Sequence, residues 1–254
     1  MSKRNKYLIL ITTIIFGVLV DIWIGTTLNN HEKQHVSLYR TALKTTDKDR
    51  FNYIIDSHQG NVVTNTKLTA ADPVRFHEMK SKQKFFAVKR TLEVYTMHTE
   101  TTTDSKGRTT TRTYWTWDDQ GTDSKYSRRL EIFGRKYKTS NFDINSYFAH
   151  ADAEKLVNNN NGLSGYYHYL DSGTRYKYEV IPVSITGSFI ANTNRGTLAP
   201  ISGKQIKISS EHYKDYLNYN LHGGKKKVIL VVVLLILIEI LGIAYLYPVL
   251  DEVY

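Results

Sequence analysis

The chain of 254 residues contains no cysteine. That excludes disulfide-stapled scaffolds, cysteine-ligated zinc fingers, thiol nucleophiles and iron–sulfur clusters. It does not fix a compartment, because proteins in oxidising spaces can lack disulfides. Proline occurs 4 times and glycine 15 times, too few for collagen-like or proline-rich architectures. No G-x-S-x-G elbow, P-loop or G-x-G-x-x-G fingerprint occurs. Acidic residues are also scarce: 24 Asp and Glu stand against 34 Lys and Arg, a net charge of +10. Such a balance invites nucleic acid or an anionic membrane surface as partner, and location has to decide between them. A composition 41% hydrophobic and 12% aromatic, with 19 tyrosines, excludes a disordered chain.

The mean hydropathy of −0.39 hides two long apolar runs, one near each end. The first is Tyr7–Gly25, YLILITTIIFGVLVDIWIG, preceded by Lys3, Arg4 and Lys6. As a helix it reaches roughly 28 Å, enough for a bilayer core. A signal peptide is the competing explanation, but no small-x-small cleavage site follows, so an uncleaved anchor is expected. The second run is Val228–Tyr247, VILVVVLLILIEILGIAYLY, which spans roughly 30 Å with Glu239 near its middle. Trp23 ends the first run, and Tyr245 and Tyr247 end the second, as in an interfacial aromatic belt. The expected layout is a cytoplasmic basic tail (1–6), a transmembrane helix (7–25), an extracytoplasmic domain (26–224), a second transmembrane helix (228–247) and a short tail (248–254). Lys225, Lys226 and Lys227 oppose this orientation, since the positive-inside rule prefers them cytoplasmic. Long domains translocate largely regardless of charge and the first helix usually dominates, so the domain is placed outside.

Two acids interrupt the runs. Asp21 lies about one turn from its helix end, where snorkelling to the headgroups accounts for it. Glu239 is an intramembrane acid, expected to support helix–helix or subunit association, to contact Thr12 or Thr13, or to sit protonated, with ion or proton handling as the lesser alternative.

Between the spans, residues 29–56 read as helical. Residues 85–98 are rich in β-branched and aromatic side chains, Asp104–Gly107 is a turn, and 109–118 returns with Tyr114, Trp115 and Trp117. This predicts a long hairpin with a threonine-rich tip. Further strands are expected at 130–133, 175–183, 184–191 and 205–209, and a helix at 147–157 stopped by the asparagines 158–161 and Gly162. The fold class is α+β: a membrane-anchored, mainly antiparallel β domain with a few helices, flanked by two transmembrane helices.

Catalytic signatures are weak. His31-Glu32-Lys33-Gln34-His35 is a literal H-E-x-x-H, which on a helix can place two histidines on one zinc with Glu32 as general base. Its polar middle pair and the lack of an evident third ligand favour a solvated juxtamembrane helix. Ser81-Lys82-Gln83-Lys84 matches S-x-x-K but lacks the companion S-D-N and K-T-G elements. No catalytic, cofactor-binding or metal residue is therefore assigned, and no cofactor is expected. Trp115 and Trp117 share a strand face and are candidates for surface contact. The alternation Arg175-Tyr176-Lys177-Tyr178 suits base stacking, but an extracytoplasmic domain seldom meets nucleic acid, so none is expected as a partner.

The order of segments resembles the transmembrane protein 43 (Luma) family. His58-Gln59-Gly60-Asn61-Val62-Val63 leading to Ala71-Asp72-Pro73-Val74-Arg75-Phe76 is similar to that family's G-x-x-V … D-P-x-F entry. Lys89–Tyr95, with Glu100 further on, resembles its basic V-E-M-Y strand. Asp171–Tyr176, Ile185-Thr186-Gly187 and Thr197-Leu198-Ala199-Pro200 resemble its G-D-x-R … T-L-x-P region. Family members usually carry several C-terminal spans, whereas this chain has one. The resemblance implies a membrane-organising scaffold that self-associates, without catalytic residues, at the endoplasmic reticulum or nuclear envelope in eukaryotes. In a bacterial or phage-encoded protein the cell membrane takes that place. The expected partners are the lipid bilayer, a second copy and a membrane or extracytoplasmic protein. A sensor or exclusion factor binding an incoming ligand is the first alternative, favoured by exposed aromatics beside the hairpin tip. A zinc hydrolase on His31, Glu32 and His35 is the second.

Overall fold

The computed structural model describes residues 3–158, 161–193 and 195–252. The chain forms two compact units, Met1–Leu43 with His212–Tyr254, and Lys44–Glu211. The helices are α1 (Lys3–Thr41), α2 (Lys48–Asp56), α3 (Ala153–Leu156) and α4 (Tyr213–Glu252). The principal strands are β1 (Asn61–Ala70), β2 (Phe85–Thr103), β3 (Thr109–Tyr126), β4 (Arg129–Ile132), β5 (Arg135–Lys138), β6 (Tyr167–Tyr169), β7 (Thr174–Pro182) and β8 (Ser184–Asn192). The architecture is α+β, with mainly antiparallel sheets and, among the described residues, a short parallel pair between 142–143 and 206–207.

The first unit is a pair of helices. Their apolar windows have mean hydropathies of 2.4 and 3.0, and both are long and apolar enough to cross a membrane. Almost none of either window is buried, unlike a soluble core helix, which hides its apolar stripe. The pair is antiparallel: Gly17 lies against Glu239, Gly25 against Val232, and Gly224 against Glu32. The two apolar runs are therefore level with each other. Glycines at the contact let the backbones approach, as small residues do in membrane helix pairs. Both helices run past their apolar segments, and there Tyr39 and Tyr216 share a hydrogen bond of 3.2 Å among buried Val36, Tyr39 and Tyr216.

The second unit contains two main sheets. In one, β1 pairs with β8 along its whole length and with β4, which turns into β5. In the other the order is β3-β2-β7-β6. The chain crosses from sheet to sheet at Ser127, between β3 and β4, and at Val183, between β7 and β8. Fully buried Phe51, Val62, Leu68, Leu130, Ile132 and Phe189 belong to the first sheet and α2. A second cluster packs Phe76, Met79, Val88, Leu156 and Val157 around Tyr178. Full burial of each such side chain stabilises by roughly 1.5–3 kcal/mol before the entropy cost.

The helix expected over 29–56 is interrupted. Its first part continues α1 as far as Thr41, and α2 starts afresh because Asp47, in extended conformation, accepts from the Arg50 amide at 2.8 Å as an N-cap. The helix expected over 147–157 shrinks to Ala153–Leu156. Tertiary pairing overrides its pattern: Ala149–His150 pairs with β7, and Val157 bridges to Met79. Of the stop expected at 158–161, positions 159 and 160 lie outside the described residues, as do 1, 2, 253 and 254 of the two tails.

Candidate interaction site: a projecting hairpin arm and the ion cluster at its base

The expected hairpin is present, and longer than the sequence pattern required. β2 and β3 pair continuously from Ala87↔Tyr126 to Thr103↔Thr109. The neighbouring strand β7 stops at Thr174↔Val94, so, apart from the Tyr95 amide, which donates to the Gly173 carbonyl at 2.8 Å, residues 95–103 and 109–117 pair only with each other. They form a two-stranded arm roughly 30 Å long at the usual rise per residue. Its turn is built by Asp104, whose carboxylate accepts from the Lys106 and Arg108 amides at 2.8 and 2.9 Å, with Gly107 at φ 77°. These two amides and the Arg108 side chain hold the Asp104 carboxyl below its ordinary pKa. Cross-strand threonines line the outer half, Thr101 opposite Thr111 and Thr103 opposite Thr109, which suits their β-branched shape.

The two faces of the arm differ. On one, Tyr95 stands opposite Trp117 and Met97 opposite Trp115. Tyr95 stacks on Trp115 at 5.4 Å between ring centres, yet Trp115 and Met97 remain 55% and 58% exposed. On the other, Asp118 accepts from Thr96 and from His98 (Nε2, 2.6 Å), and His98 stacks on Tyr114 at 5.6 Å. Donation from Thr96 and His98 lowers the Asp118 pKa. His98 turns the same Nε2 to Asp118 and to Thr96 Oγ1, 3.1 Å away, so the trio is not a nucleophile–base–acid relay, in which the two ring nitrogens bridge the other two groups.

At the base of the arm the sheet buries charge. Glu93, 5% exposed, accepts from Arg175 Nε at 2.6 Å and Lys177 Nζ at 2.8 Å. Burial would raise the Glu93 pKa, but the bonds from Lys177 and Arg175 override it and hold the carboxyl below its ordinary value. The Arg175 guanidinium lies 3.6 Å from the Tyr167 ring centre and 4.0 Å from that of Trp117, and donates to the Tyr169 hydroxyl at 3.1 Å. The aromatic box of Trp117, Tyr167 and Tyr169 is thus filled by the protein's own cation. Trp117 and Trp115, paired as candidates in the sequence, part here: Trp117 covers Arg175, and Trp115 is left facing outward. The Arg175–Tyr178 alternation is absorbed as well, because Arg175 and Lys177 turn to Glu93 and Tyr178 enters the core.

In the helix pair, Trp23 and Tyr245 are exposed near opposite ends of the apolar segment, at 70% and 74%. Asp21 and Glu239 line one cleft between α1 and α4 with Thr26 and Asn29. Thr12 and Thr13 donate to the Leu8 and Ile9 carbonyls of their own helix, at 2.8 and 2.9 Å. The Glu239 side chain lies beside Gly17, and both line a small pocket together with Thr13. In the H-E-x-x-H segment, Glu32 packs on Gly224 and the His35 ring tilts against Tyr39. Among the described residues no group of three or more His, Asp and Glu side chains is placed to hold a metal ion.

The motifs behind the family resemblance occupy turns and close contacts. Asp72 holds Arg129 through paired bonds of 3.0 Å, Asp171 accepts from the Gly173 amide at 2.8 Å, and Gly187 leaves room for Tyr147 and Ile208. No protein-family description, curated protein or solved structure matches the chain.

Proposed function

We propose that this is an integral membrane interaction protein: two helices anchor an extracytoplasmic α+β domain, and the work is done by contact rather than by catalysis. The anchoring rests on two level, outward-facing apolar helices with exposed Trp23 and Tyr245 as interfacial anchors. In a bacterial or phage-encoded setting the site is the cell membrane, and in a eukaryote the endoplasmic reticulum or nuclear envelope. Lys3, Arg4 and Lys6 and the run Lys225–Lys227 flank opposite ends of the apolar pair, so orientation needs a direct test. A compartment-sensitive reporter at Gly107 reads outside on this proposal, and an inside signal refutes it. The scaffold role implied by the resemblance to the transmembrane protein 43 family is part of the same proposal.

The observation that carries the contact role is the free edge of the arm. Sheet edges are normally guarded by charge or bulges. Residues 118–126 of β3 carry Asp118, Asp119, Asp123 and Lys125, and a register shift sits between Leu92 and Glu93. Residues 109–117, TTTRTYWTW, carry only Arg112. We assign this edge to a second copy of the chain. Antiparallel self-pairing centred on Thr113 sets Trp115 opposite Thr111 and Arg112 opposite Tyr114, with no like charges facing. Thr113 then opposes itself with a Cα separation of ~4.5–5.5 Å, within disulfide range. Because the native chain has no cysteine, Thr113→Cys should cross-link to itself under mild oxidation, and Lys106→Cys at the distant tip should not. Equal cross-linking at both positions, or a monomer by light scattering in detergent, defeats the assignment. The exposed Trp115 and Met97 also suit the second reading, a sensor or exclusion factor. It gains ground if Trp115→Ala abolishes biological activity while cross-linking through Thr113→Cys persists.

A further inference from the structure

The Lys44–Glu211 unit contains an open cleft of about 1050 Å³ beside the β4–β5 hairpin. Its floor is apolar, formed by Val74, Phe142 and Ile144. Its rim is basic. Arg129 is neutralised by Asp72 through two bonds of 3.0 Å. Arg128 and Lys138 also line the cleft; among the described residues neither side chain has a hydrogen bond or an ion pair within 4 Å, although Arg128 is near enough to help lower the Asp72 pKa. Thr139 lines it too, but its hydroxyl is sealed from solvent and does not face the cleft. Exposed basic residues alone carry little information. Here two cations without close partners stand over an apolar floor in one concave site, which is the complement of an amphiphilic anion.

We propose that this cleft binds an amphiphilic organic anion. Its carboxylate, sulfonate or phosphate head meets Arg128 and Lys138, and its hydrocarbon or aromatic body lies on Val74, Phe142 and Ile144. The volume suits a drug-sized or lipid-like acid. This site is separate from the contact role of the arm and stands or falls without it.

The test uses the full chain in phosphatidylcholine nanodiscs and fluorine NMR with 6-fluoro-2-naphthoate as probe. Saturable binding is expected, with the neutral isostere (6-fluoronaphthalen-2-yl)methanol binding about tenfold more weakly, a difference of about 1.4 kcal/mol. Arg128→Ala and Lys138→Ala should each weaken the naphthoate about three- to tenfold without moving the unfolding temperature, since both side chains are exposed. Competition identifies the source of the head group. Displacement by free decanoate points to a soluble acid, and displacement on doping the disc with phosphatidylglycerol points to the bilayer. The proposal is overturned if the naphthoate does not saturate, if the alcohol binds equally well, if Arg128→Ala/Lys138→Ala binds like wild type, or if neither competitor displaces the probe.

Discussion

Replacing Glu93 by Gln keeps the shape of the side chain and removes its charge, so it isolates the ion cluster beneath the arm. The carboxylate is 5% exposed and serves two cations. Breaking a buried pair by removing one partner costs roughly 3–5 kcal/mol, because the stranded charge has no water to return to. Two features place this site at the low end of that range. The Lys177 side chain is 23% exposed and already has Asp119 at 3.7 Å as a second partner. Arg175 keeps Tyr169 and the faces of Tyr167 and Trp117. We therefore expect a loss of about 3 kcal/mol, which at ~2–4 °C per kcal/mol lowers the unfolding temperature by about 6–12 °C. Tryptophan fluorescence on heating reads this directly, since Trp117 lies on Arg175. The double variant Glu93→Gln/Arg175→Met should cost less than the sum of the single variants. The sign with pH follows from the lowered Glu93 pKa: its contribution is complete above the ordinary value of 4.5 and disappears as pH falls through the folded-state value. The gap between wild type and Glu93→Gln should narrow on acidification. A variant within ~0.5 kcal/mol of wild type, strict additivity, or a gap that widens in acid would refute the reasoning.

Trp115→Ala and Met97→Ala should change stability by no more than about 0.5 kcal/mol, because both side chains are more than half exposed; a larger loss in thermal unfolding would mean the arm packs on something unseen here. Gly187→Ala should destabilise by about 1–3 kcal/mol, since its Cβ would run into the Tyr147 hydroxyl and Ile208; chemical denaturation checks this. Asp47→Ala removes the cap of α2 and should cost ~1 kcal/mol, with Asp47→Asn near neutral. Gly17→Leu should separate the helix pair by displacing Glu239, read as loss of an engineered α1–α4 cross-link in detergent.

The helices and the arm were legible because their signals are local: run length for the former, alternation around Asp104–Gly107 for the latter. β1 was harder to read, since Val62 and Val63 are adjacent and both buried, which breaks the alternation. The β4–β5 hairpin carries no Asn-Gly signature. Its turn uses Phe133 at φ 50° before Gly134, a conformation Phe adopts here with its ring 4.9 Å from that of Phe51. Glu93 looked like any exposed strand carboxylate, because its partners are 82 and 84 residues away. The same distance effect split Trp115 from Trp117, which the strand pattern treated as equivalent. The cleft beside β4–β5 has no linear motif at all, as its lining is gathered from separate segments between residues 72 and 205.

The seating of Glu239 on Gly17 also sets a timetable for biosynthesis. Roughly 200 residues separate the two positions, on the order of 10–40 s of ribosome time. Throughout that interval the glycine face of α1 is bare. On the proposed membrane anchoring, an α4 that arrives without α1 carries its carboxyl into lipid with no glycine face to receive it and should insert poorly. The arrival of α4 thus becomes a checkpoint on α1, and loss of either helix should deplete the whole protein rather than leave a half-anchored one.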